Sequence, residues 1–90
     1  MSLESYLNHP MVGLLLMVCP LDERRELFTT LYAQRLFFLV SNGEKGMMFE
    51  PVTRSDARSL VEGRMRTLHR SGQLGQYKTV QTAYKRTFQF

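Results

Sequence analysis

Residues 26–40, ELFTTLYAQRLFFLV, are the stretch on which the fold turns. Its two ends, Glu26 to Tyr32 and Arg35 to Val40, are dense in aromatic and β-branched side chains at lengths typical of strands. Beyond it, Asn42-Gly43 is a hairpin signal, because both residues tolerate positive φ. Met47 to Pro51 reads as the return strand, closed by Pro51. On the other side, Val12 to Cys19 forms a strand between Pro10 and Pro20, and Ser5 to Leu7 adds a short edge strand. That many short strands in so little chain imply a small antiparallel sheet or a partly closed barrel.

The faces of these strands carry the first functional information. In Arg35–Val40 both the odd set (Phe37, Leu39) and the even set (Leu36, Phe38, Val40) are apolar. Leu27 and Leu31 likewise point one way, and Phe28 and Tyr32 the other. A sheet with one solvated face alternates apolar and polar residues, so here the second face is covered as well. Helices from the same chain are one cover, and a partner protein over an exposed apolar patch is the other.

After Pro51 the period changes. Thr53 is a natural N-cap, with Asp56 three residues on. Ala57, Leu60, Val61, Met65 and Leu68 then recur at helical spacing. Ser71-Gly72 stops that helix, glycine being suited to the left-handed position after a C-terminus. A second helix starts near Leu74, with Tyr77, Val80, Tyr84 and Phe88 on one face, so the two helices pair as an αα-hairpin. Gly63 and Gly75 weaken each helix somewhat. The expected class is α+β: a β-domain over 1–53 and a helical hairpin over 54–90.

Charge divides at the same place. Residues 1–53 hold four basic against six acidic side chains, whereas residues 54–90 hold eight basic against only Asp56 and Glu62. Opposite signs suggest two modules with different partners. The 90 residues suffice for one thin-cored domain, and the 43% hydrophobic content rules out disorder. A single cysteine, Cys19, excludes an internal disulfide, and in the run Gly13–Cys19 it reads as a buried hydrophobe. That run is shorter than the roughly 20 residues needed to span a bilayer, and no basic segment precedes it. The expected compartment is the cytoplasm, with no membrane association.

No catalytic constellation has specific spacing. Asn42–Gly46 places a lysine in a glycine loop without the P-loop pattern, and potential metal ligands are scattered singly. Asp22-Glu23 and His69 read as surface groups. The arginines at 54, 58, 64, 66 and 70, followed by Lys78, Lys85 and Arg86, could lie on phosphates or an acidic protein surface. Solvation of the outer face of the helix pair is the preferred reading.

The segment Glu26–Val40 resembles the PipX family, the PII-interacting proteins of cyanobacteria. Tyr6–Pro10 (YLNHP), Gly13–Leu15 (GLL), Phe49–Pro51 (FEP), the Asp56-Ala-Arg58 helix start and Thr87-Phe88 agree as well, so the resemblance spans essentially the whole chain. It implies a Tudor-like (KOW-like) β-domain followed by two helices. The function it implies is that of a regulatory adaptor, not an enzyme. Its partners would be the trimeric signal protein PII, favoured by ADP and opposed by 2-oxoglutarate, and the dimeric activator NtcA, which it coactivates. Both would use the same Tudor-like face in turn. No cofactor or small-molecule substrate is implied, since ADP, ATP and 2-oxoglutarate act through the partners.

On that face the expected partner-binding residues are Glu4, Tyr6, Val12, Leu14, Tyr32, Gln34, Arg35, Leu36 and Phe38. Tyr32 and Arg35 are of types enriched at hot spots. Glu4 and Gln34 add polar specificity; Leu14, Leu36 and Phe38 add apolar area. The helices could contact RNA polymerase or another regulator. The competing expectation is a KOW-type protein bound to nucleic acid or RNA polymerase through its basic helices.

Overall fold

The protein was analysed as a computed structural model, which describes residues 6–31 and 36–89. Five strands, β1 (Tyr6–His9), β2 (Gly13–Pro20), β3 (Arg25–Thr30), β4 (Phe37–Gly43) and β5 (Gly46–Val52), form one antiparallel sheet in sequential order. Two helices follow, α1 (Arg54–Arg70) and α2 (Leu74–Phe88). The fold is α+β, as the change of period requires.

The register shows why both faces of the strands are apolar. Cross-strand pairs such as Leu27↔Leu39 and Phe37↔Val52 point to one face, and Phe28↔Phe38 and Val40↔Phe49 to the other. Leu27 and Phe37, with Val18, Cys19 and Leu21, pack against Ala57, Val61 and Leu68 of α1 and Val80, Tyr84 and Phe88 of α2. A bulge in β2 aids this: Met17 pairs with Phe28 and Cys19 with Leu27, so Val18 and Cys19 both reach the helices.

The other face closes on itself. Leu15, Phe28, Phe38 and Val40 form a second buried cluster, flanked by Leu7 and Val12 from one edge and Phe49 from the other. The His9 ring of β1 lies 5.1 Å from both Phe38 and Phe49. In a flat sheet β1 and β5 would be about 19 Å apart. The sheet therefore curls, and its concave side is filled by its own side chains.

The β4–β5 turn differs from expectation. Gly43 pairs with Gly46, so the turn is Glu44-Lys45, with the positive φ (+104°) at Gly46. A turn centred on Asn42-Gly43 would put Lys45 opposite Val40. The observed one puts Phe49 there, so burial of the concave cluster sets the register. Strand β4 is described from Phe37, Arg35 lying outside the described residues, and β1 runs to His9.

The helix boundaries follow local chemistry. Thr53 Oγ1 accepts from the Asp56 N–H at 3.0 Å and caps α1. At the other end, Gly72 (φ +75°) donates to the His69 carbonyl and Gln73 to that of Leu68, the pairing of a Schellman motif. Across the hairpin, Arg58 Nε donates to Tyr84 Oη at 2.9 Å, and Tyr84 Oη donates to Glu62 Oε2 at 2.7 Å. Arg54 stacks on the Phe37 and Phe88 rings and donates to the Thr87 carbonyl, fixing the end of α2 to the sheet.

Candidate protein-docking site

With one face under the helices and the other curled inward, the flank formed by β1 and β2 is where sheet surface stays open. Pairing of Tyr6 with Leu16 and of Asn8 with Leu14 puts these four side chains on the helix-bearing face. The helix-packed cluster takes in Val18 and Cys19 of β2 and none of these four side chains. Tyr6 is 43% exposed, Asn8 is exposed, and Leu14 and Leu16 are half-buried.

The end of β3 is tied to the start of β2. The Leu31 N–H donates to the Leu14 carbonyl at 3.1 Å, bridging the end of β3 to the start of β2. The Leu36 carbonyl accepts from Thr30 N–H at 3.1 Å and from Thr29 Oγ1 at 2.9 Å, which fixes the backbone while its side chain stays 50% exposed. The β1–β2 turn lies at this end too, held by His9 Nδ1, which accepts from the Met11 and Val12 N–H groups at 3.1 and 3.3 Å. The described residues of the flank are uncharged: an aromatic, an amide and two leucines.

The expected binding residues therefore divide. Tyr6 and Leu14 share the helix-bearing face of the β1–β2 flank, and Leu36 is exposed just before β4. Val12 is half-buried against the concave cluster. Phe38 lies inside that cluster at 7% exposure, so its apolar area is spent within the fold rather than presented on the surface. Glu4, Tyr32, Gln34 and Arg35 lie outside the described residues. Asn8 and Leu16 share the face of Tyr6 and Leu14, and Asn8 was not singled out. Their alternation with Leu7 and Leu15, folded back at Pro10, was the available signal.

The basic half is less uniform than its sequence suggests. Arg54 and Arg58 are engaged between the helices and the sheet, and Arg64 lines a groove between β2 and α2. Arg66, His69 and Arg70 surround a shallow depression with Tyr77, whose ring meets His69 edge-on at 5.4 Å. Lys78, Lys85 and Arg86 are exposed on α2. Asp22 caps the β2–β3 turn: Oδ1 accepts from the Arg24 and Arg25 N–H groups, and Oδ2 from Arg25 Nε. The Arg24 amide foremost, with the Arg25 side chain, holds its carboxyl below the usual range. Burial pushes the Cys19 thiol up to about 12, so it stays protonated and unreactive.

Among the described residues, no group of three or more His, Cys, Asp and Glu side chains comes together to hold a metal. No helix is long and apolar enough to cross a membrane. None of the curated proteins compared matches the chain. The family model described as PipX, PII-interacting protein X, matches residues 3–88, nearly its full length. The chain belongs to the PipX family of PII-interacting proteins.

Proposed function

We propose, from that membership, that the chain is a regulatory adaptor of nitrogen signalling whose β-domain, including the β1–β2 flank, docks two partners in turn. The observation that carries this is the family match over residues 3–88. One partner is trimeric PII, with ADP favouring capture and 2-oxoglutarate opposing it. The other is the dimeric activator NtcA, which the adaptor coactivates. Tyr6, Leu14 and Leu36 supply apolar contact, while Glu4, Tyr32, Gln34 and Arg35 add the polar and aromatic anchors expected of a hot spot. Val12 and Phe38 support the flank from the concave side. The adaptor acts in the cytoplasm, carries no catalysis, and leaves ADP, ATP and 2-oxoglutarate to its partners. Residues 1–53 serve as the docking unit and 54–90 as a separate helical unit.

The test is capture of the protein on immobilised PII, first with ADP and then with ATP plus 2-oxoglutarate. Capture with ADP that is lost with 2-oxoglutarate supports the switch. Capture in neither state refutes it. Tyr32→Ala should abolish capture by PII and NtcA without changing the melting curve, and unchanged affinity for both would remove Tyr32 from the site.

A second reading has its own observation: Arg66, His69 and Arg70 cluster around Tyr77 near exposed Lys78. Such a patch suits an acidic surface on RNA polymerase or another regulator, or a nucleic acid. Nucleic-acid binding through it would weaken steeply with salt, and binding that ignores salt excludes that form.

A further inference from the structure

A groove of about 770 Å³ runs between β2 and α2, a volume within the range of small-molecule sites. It exists because the α2 row nearest β2 is small: Gly75, Thr79 and Ala83 follow one another at every fourth residue. Thr79 Oγ1 donates back to the Gly75 carbonyl at 3.2 Å, so its hydroxyl is spent on its own helix. The floor is apolar, formed by Val18, Cys19 and Val80, and the neutral Cys19 thiol keeps it so.

Two guanidinium groups, Arg64 and Arg86, line this groove, and no carboxylate does. Arg64 Nε is buried and has no hydrogen-bond partner among the described residues. That N–H is closed to solvent, so an anion in the groove would be held by the charge of the Arg64 guanidinium as a whole rather than by Nε. Arg86 adds a second positive charge on the α2 side. An apolar floor with paired cations at its wall discriminates twice, since it disfavours both a fully polar anion and a neutral hydrocarbon.

We infer that the β2–α2 groove is a binding site for an amphipathic carboxylate, with its apolar body on Val18, Cys19 and Val80 and its carboxylate on Arg64. The inference does not rest on PII binding, although the groove shares Leu16 with the docking flank.

The experiment is a ¹⁵N-resolved NMR titration of the full chain with decanoate below its micelle concentration. Decan-1-ol and 2-oxoglutarate are the controls, one lacking the charge and the other the apolar body. Expected are saturable shifts at the amides of Val18, Cys19, Val80 and Ala83 and at the Arg64 Nε–H, with each control binding at least about tenfold more weakly. Arg64→Gln should weaken decanoate by roughly tenfold to a hundredfold, the span for a hydrogen bond to a charged group. Thr79→Phe, which fills the groove from an exposed position on α2, should abolish the shifts while the protein keeps its melting curve. Absence of saturable shifts, decan-1-ol binding as tightly as decanoate, or undiminished binding by a folded Arg64→Gln or Thr79→Phe variant would each overturn the inference.

Discussion

Replacing Phe38 by alanine separates two accounts of that residue, one as docking surface and one as structural core. The ring is 7% exposed among Leu15, Phe28 and Val40, with the His9 ring stacked 5.1 Å away. Removing such a ring costs about 3–5 kcal/mol, as lost transfer energy plus the cavity left behind. A domain of this length has on the order of 5–13 kcal/mol to lose. At about 4–8 °C for each kcal/mol, Tm should fall by more than about 12 °C. Leu14→Ala is the matched control. Its side chain is half-buried on the open flank, so truncation should cost below about 1.5 kcal/mol in stability while weakening PII capture. Urea denaturation followed by circular dichroism measures both variants, with capture assayed well below each midpoint. If Phe38→Ala shifts stability by less than about 1 kcal/mol, the concave cluster is not the core described here. If Leu14→Ala destabilises as much as Phe38→Ala, the flank is not free surface.

Three further outcomes follow from local chemistry. Gly72→Ala places a Cβ at φ +75°, so it should destabilise by about 1–2 kcal/mol although nothing lies within 4 Å of that Cβ; an unchanged melting curve would refute the strain argument. Cys19 should resist iodoacetamide at pH 8 in native protein and react at once in denaturing urea, and rapid native labelling would contradict its burial. The Tyr84 hydroxyl, aided by Arg58, holds the Glu62 carboxyl below its ordinary value. The resulting stabilisation is present above the unfolded carboxylate pKa and is lost as pH falls through the lower folded one; Tyr84→Phe should move the Glu62 midpoint up in an acid titration followed by NMR, and an unmoved midpoint would contradict the pairing.

The fold was largely legible because each element is marked by its own chemistry. Thr53, Ser71-Gly72 and the prolines at 10 and 20 punctuate the chain where the structure turns. The β4–β5 turn was misplaced because Asn42-Gly43 is a local signal, whereas the register follows a nonlocal one, the burial of Phe49 opposite Val40. Phe38 was assigned to the surface for a related reason. Alternation assigns a residue to a face without saying which face is curled inward, and the contact of His9 with Phe49 across five strands decides that. The arginines read as one solvated stripe because helical spacing does not reveal what lies opposite. Tyr84 meets Arg58 from α2, and Phe37 and Phe88 meet Arg54.

The two-sided burial also explains why a docking surface falls where it does. A five-stranded meander that curls spends its concave face on itself, and the αα-hairpin covers the convex face from Val18 to Phe37. The short β1 then adds a strand outside the helix-packed cluster, leaving Tyr6 exposed and Leu14 half-buried on that face. Because Leu16 belongs to both the flank and the groove under α2, the two surfaces share a wall. A change in how α2 sits on β2 would therefore be felt at the flank through this one side chain. Leu16→Ala is the substitution that should alter PII capture and groove binding together, while Leu14→Ala alters capture alone.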